Sequence, residues 1–142
     1  MAGPALPPQT ATPVPSGQAA TILDVPFISQ SEALCGGPAA AMVLRYRGEG
    51  GLASESFAHL VDRSAAGIRT TALIAELRQR GWDATGIAGT VQVLSDHVSR
   101  GRPVVTLIED RPGRFHYIVV VAVTEHAIVF HDPARAPMRV VG

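Results

Sequence analysis

The sequence predicts an α+β domain in which a helical layer, laid down first, packs on one antiparallel sheet. Three observations predict it. Apolar residues recur at helical spacing in successive segments between residues 36 and 100. From residue 103 onward the pattern changes to β-branched runs, and the turn signals "DRPG" and "TEH" separate those runs as in a meander. A chain of 142 residues is long enough for one good core of this kind.

Residues 1–20, "MAGPALPPQTATPVPSGQAA", are uncharged, rich in proline and alanine and without hydrophobic period. They are expected to form a disordered tail or linker ahead of a domain at 21–142. A basic start followed by an apolar core is missing, so this is not an intact signal peptide. Localisation stays open between the cytoplasm and export after signal removal. "LDVPFISQ", broken by Pro26, suits an extended lead-in or an edge strand. Pro38 fits the first turn of the next helix, where a missing N–H costs nothing, and Gly48 fits its end. Met42, Val43, Leu44 and Tyr46 are apolar around much of its circumference, which predicts a central, covered helix.

"SESFAHLVDR" is expected to be a second helix, capped by Ser54. "TTALIAELRQRG" is a third, with Leu73, Ile74 and Leu77 as its apolar stripe and Gly81 as its stop. "TVQVLSDHVSRG" is a fourth, with Val91, Leu94 and Val98 at helical spacing and Thr90 as cap. "PVVTLIE", "RFHYIVVVAVT" and "AIVFHDP" are the strands. The chain closes on a strand-like "MRVVG", which leaves room for truncation at the C-terminus and for further domains in a longer parent protein.

Twelve acidic residues balance twelve basic ones, all of them arginine and scattered along the chain. This argues against a nucleic-acid partner or an anionic membrane surface. The longest apolar run, Tyr117 to Val123, is too short to span a bilayer, so no transmembrane segment is expected. A single cysteine, Cys35, cannot form an internal disulfide.

Cys35 stands at the N-terminus of the first helix, where unpaired backbone N–H groups and the helix dipole favour thiolate over thiol. Gly36 and Gly37 remove side-chain bulk beside it, which would let a substrate carbonyl approach. Taken alone, the same residue reads more readily as a small buried hydrophobe, and the glycines as a turn. A cysteine nucleophile also needs a base, and five histidines are present. His59 and His97 lie on helices and His126 at a hairpin turn, which leaves His116 and His131 on strands. Asp132 is the carboxylate near both.

Facing residues in an antiparallel pair have a constant index sum, and side chains alternate between faces. An even sum puts His116 and Asp132 on one face within reach, with His131 turned away. A two-residue turn at Glu125 and His126 gives an odd sum and separates them. The pairing therefore requires an odd-length turn or a β-bulge. A metal site built from His116, His126, His131 and Asp132 converges poorly, because adjacent strand residues face opposite ways.

"VPFISQ", "LCGGPAAAMVLRYRG", "RPGRFHYIVVVAV" and "VFHDPA" together resemble peptidase family thirty-nine of the cysteine class, papain-like enzymes whose best-known members remove double-glycine leader peptides from bacteriocins. The resemblance runs from about Asp24 to Pro137. It implies a papain-like cysteine peptidase fold, with Cys35 as nucleophile, His116 as general base and acid, Asp132 orienting the imidazole, and Gln30 helping to form the oxyanion hole. It implies a peptide or protein substrate and neither metal nor cofactor. Gly36, Gly37 and, more weakly, Arg114 are the expected substrate contacts. The chain departs from the leader peptidases in Gly37, a second glycine after Cys35-Gly36, and in a shorter Gln30-to-Cys35 gap. No membrane spans or nucleotide-binding motif accompany it, so a stand-alone member is the better match. The competing readings are a catalytically silent peptide-binding module on the same fold, and a related amidase or transamidase.

Overall fold

The computed structural model describes residues 11–13, 21–29, 36–52, 54–62, 64 and 67–142. Strand β1 (Ala11–Pro13), within the segment read as a tail, pairs antiparallel with β2 (Thr21–Leu23). Helix α1 (Gly36–Tyr46) follows, then a 3₁₀ helix (Ser54–Leu60) and the short strands β3 (Val61–Asp62) and β4 (Gly67–Ile68). Helices α2 (Thr70–Gln79) and α3 (Val91–Ser99) precede the sheet. That sheet is an antiparallel meander of β5 (Val104–Arg111), β6 (Arg114–Val123), β7 (Ile128–Asp132) and β8 (Ala136–Val141), in that spatial order. The arrangement is α+β, with α1 and α3 both packed on β5 and β6.

Every residue of β6 from His116 to Ala122 is buried, so both faces of this central strand are covered. That explains its unbroken apolar run where a half-exposed strand would alternate. α1 presents Ala39 to Met42, all fully buried, to the core that Val119, Val120 and Val121 share. It ends at a left-handed Gly48, φ 103°. Thr90 caps α3, its hydroxyl accepting from the Val93 N–H at 3.2 Å.

The expected second α-helix is instead a short 3₁₀ element. Phe57 anchors it in the core, and the chain then turns into the β3–β4 hairpin, where Val61 pairs with Ile68. Asp62 holds this hairpin by accepting from the backbone N–H and hydroxyl of Ser64 and from Arg69 Nε at 2.8 Å. The Ser64 hydroxyl first, then Arg69, lower the Asp62 carboxyl to about 2. Tyr117 Oη on β6 donates to the Ile68 carbonyl at 2.9 Å, which ties the hairpin to the sheet.

His131 does the same for the chain's lead-in. It is 3% exposed, its Nε2 donates to the Val25 carbonyl at 2.8 Å, and its Nδ1 accepts from the Met138 N–H at 3.1 Å. These partners require the neutral ring, and burial pushes its pKa down, against the opposing pull of the Val25 carbonyl and Asp24. The unfolded chain therefore binds the proton more readily than the folded one. Stability from this group is fully present above about pH 6.5 and is lost as pH falls from there through the lowered native value. The urea midpoint of the parent is expected to drop between pH 7.5 and pH 5 more steeply than that of His131→Gln. Parallel curves would remove His131 from this role.

Candidate active site

Two strand positions and the turn after β7 build a buried charged cluster. β6 carries His116, 7% exposed, and β7 ends on Asp132, 1% exposed. His116 Nε2 lies 3.2 Å from Asp132 Oδ2. A carboxylate only accepts, so Nε2 carries a proton and, in the neutral ring, Nδ1 is the basic nitrogen.

The register that brings them together comes from a bulge. Thr124 N–H donates to the Ala127 carbonyl at 2.8 Å, closing a two-residue turn at Glu125 and His126. The pairs nearest it, Val123 with Ile128 and Ala122 with Val129, keep the odd sum that would part the two side chains. The register then shifts between Val120 and Ala122, and the pairs beyond it, Val120 with Phe130 and Val119 with His131, have the even sum. Val121 is the extra residue. His116 and Asp132 become diagonal neighbours on one face, and His131 turns to the other.

Asp132 also starts a turn. Arg135 N–H donates to its backbone carbonyl at 2.9 Å, and Ala134 N–H donates to Oδ1 at 3.0 Å, with Pro133 at the position whose φ it presets. The two oxygens divide the work: Oδ1 organises the turn and Oδ2 faces the imidazole. Arg135 Nη1 donates to the same Oδ2 at 3.1 Å. Sequence reasoning missed this arginine.

α1 starts at Gly36, directly after Cys35, and has no acidic residue in its first turn to offset the positive end of its dipole. Gly37 is buried. Cys35 and Gln30 lie outside the described residues. Arg114 is exposed at the β5–β6 hairpin and pairs across it with Arg111; Gly113 there has φ 78° and donates its N–H to Glu109 Oε2 at 2.9 Å. His59 bonds Glu76 at 3.1 Å, and His126 is solvated beside Glu125. Among the described residues no group of three or more histidine, cysteine, aspartate or glutamate side chains is placed to hold a metal ion. No helix among them is long and apolar enough to cross a membrane.

No curated protein and no solved structure matches the chain. A family model does match, and it covers residues 22–140, which run from within β2 to within β8 and take in the whole His116–Asp132 cluster. On that match the chain belongs to the Peptidase_C39 like family.

Proposed function

We propose that this chain is a cysteine peptidase that hydrolyses a peptide bond, with Cys35 as nucleophile, His116 as general base and acid, and Asp132 orienting the imidazole. The observation that carries this reading is the buried His116–Asp132 contact on the strand against which α1 packs, the helix that begins one residue after Cys35. The carboxylate fixes the tautomer in which Nδ1 takes the thiol proton. The thiolate attacks the scissile carbonyl carbon, and the Gln30 side-chain amide and a backbone N–H stabilise the oxyanion. Collapse of the tetrahedral adduct breaks the C–N bond, His116 protonates the departing amine, and water then hydrolyses the thioester. Gly36 and Gly37 leave room for the substrate carbonyl, and Arg114, exposed at the β5–β6 hairpin, is the weaker substrate contact.

The test is the rate of Cys35 alkylation by iodoacetamide from pH 4 to 10, with Cys35→Ser as blank. The expected result is fast alkylation well below the reference thiol pKa of about 8.5. A midpoint at that reference value would overturn the peptidase reading, and the related amidase or transamidase with it, and would leave a silent peptide-binding module.

A further inference from the structure

We infer that Arg135 is a positioning residue of this site, which pairs with Asp132 Oδ2 and through it governs how strongly the carboxylate holds the His116 imidazole. The inference rests on the peptidase reading for its catalytic meaning, but its effect on the imidazole can be measured without it. Asp132 is 1% exposed, and a buried carboxylate has lost hydration that charged or strongly donating partners must replace. A neutral imidazole and one backbone N–H do not supply a positive charge. Arg135 does, through Nη1 at 3.1 Å on the same oxygen that His116 faces at 3.2 Å. Its side chain is 42% exposed, so the guanidinium reaches the carboxylate while keeping part of its hydration.

Sharing one oxygen has a direction. The guanidinium withdraws electron density from Oδ2 and repels an imidazolium beside it, so both effects disfavour the protonated ring. Among the described residues no second cationic side chain reaches Asp132, and α3, which packs on β6, buries the uncharged Leu94 and Val98 and holds the exposed Asp96 with Gln92. From β5 the residue facing His116 is the uncharged Ile108; Glu109 faces Phe115 and serves the hairpin turn, where Arg111 and Arg114 pair. From β7, His131 is committed to Val25 and Met138 on the other face, and from β8 the residue opposite Asp132 is Ala136. α1, which packs on β6, has no acid in its first turn, and Cys35 lies outside the described residues.

The decisive measurement follows the His116 ring protons by NMR against pH in a Cys35→Ser background, with Arg135→Met, Arg135→Gln and Arg135→Lys compared. Removing the positive charge in Arg135→Met is expected to move the imidazole midpoint up by about 0.5 to 1 pH unit, an opposite-charge effect discounted for the exposure of the arginine. Arg135→Gln keeps a donor for Oδ2 and preserves the fold where Arg135→Met does not, and it is expected to show the same upward move. Arg135→Lys restores most of the original midpoint. An unmoved midpoint in folded Arg135→Gln overturns the inference, since loss of packing alone would not shift it upward.

The alkylation profile of proteins that retain Cys35 separates the two readings. An acid-shifted parent profile beside an unmoved imidazole midpoint sinks the role of Arg135 and leaves the peptidase reading standing. A moved imidazole midpoint beside an ordinary thiol in the parent does the reverse.

Discussion

Alkylation of Cys35 at pH 6 is expected to slow by about 10²-fold when His116 is replaced by alanine. A thiol with the reference pKa of about 8.5 is thiolate in only about one molecule in 300 at pH 6, whereas a thiol that has passed its proton to an imidazole is nearly all thiolate. The ratio of those populations sets the size of the effect, and the helix dipole left behind in the variant reduces it somewhat. The variant is a clean test because it does not strand the carboxylate. Asp132 keeps Arg135 Nη1 and the Ala134 N–H, so its charge stays paired after the imidazole is gone. His116→Ala is therefore expected to unfold in urea near the parent midpoint. A folded variant that alkylates as fast as the parent would remove His116 from any role in activating the thiol.

The α+β class and the order of α1, α2, α3 and the sheet strands were legible from periodicity because these elements obey simple local rules: Pro38 inside a start, Gly48 and Gly81 at stops, Thr90 at a cap. The 3₁₀ helix was not. "SESFAHLVDR" has helical spacing, but Phe57 fills the core within a single short element and Asp62 is claimed by Ser64 and Arg69. Tertiary contacts decide such a segment, and a local pattern does not carry them.

The candidate site was legible up to a condition. Strand alternation showed that His116 and Asp132 meet only if an extra residue intervenes, but nothing in "YIVVVAV" says which of several similar valines bulges out. Val121 does so inside a strand buried on both faces, where neighbours of nearly equal volume carry no marker. Arg135 was invisible for another reason. A long side chain three residues past a turn can reach water or the carboxylate with equal ease, and only the geometry of the Asp132–Pro133 turn directs it inward. His131 was read as a rival base, yet its ring holds the lead-in to the sheet, through a contact 106 positions away in sequence.

Asp132 substitutions are expected to carry the largest stability cost in the cluster, in the order Asp132→Ala, Asp132→Asn, His116→Ala. The carboxylate accepts from three N–H groups, those of His116, Ala134 and Arg135. Alanine removes every acceptor and leaves a guanidinium without its buried partner, which costs about 3 kcal/mol, the lower end for such a break, because the partly exposed Arg135 can turn to water. Asparagine keeps the shape but not the chemistry. With its amide oxygen toward His116 and Arg135, its NH₂ faces the Ala134 N–H; flipped, it faces two donors instead. Either way a buried donor meets a donor and the charge opposite Arg135 is gone, so about 2 kcal/mol is lost. The asparagine variant also frees the His116 ring to take the other tautomer, which puts a proton on Nδ1 and blocks its use as base. Alkylation at pH 6 should therefore fall nearly as far as in His116→Ala, from a protein that is still folded under the assay conditions. Urea midpoints at constant m-value give the stability order, and the same samples give the alkylation rates. An asparagine variant as stable as the parent would show that the carboxylate charge does no work in this cluster, whereas one that is destabilised but alkylates at the parent rate would assign Asp132 to the turn alone.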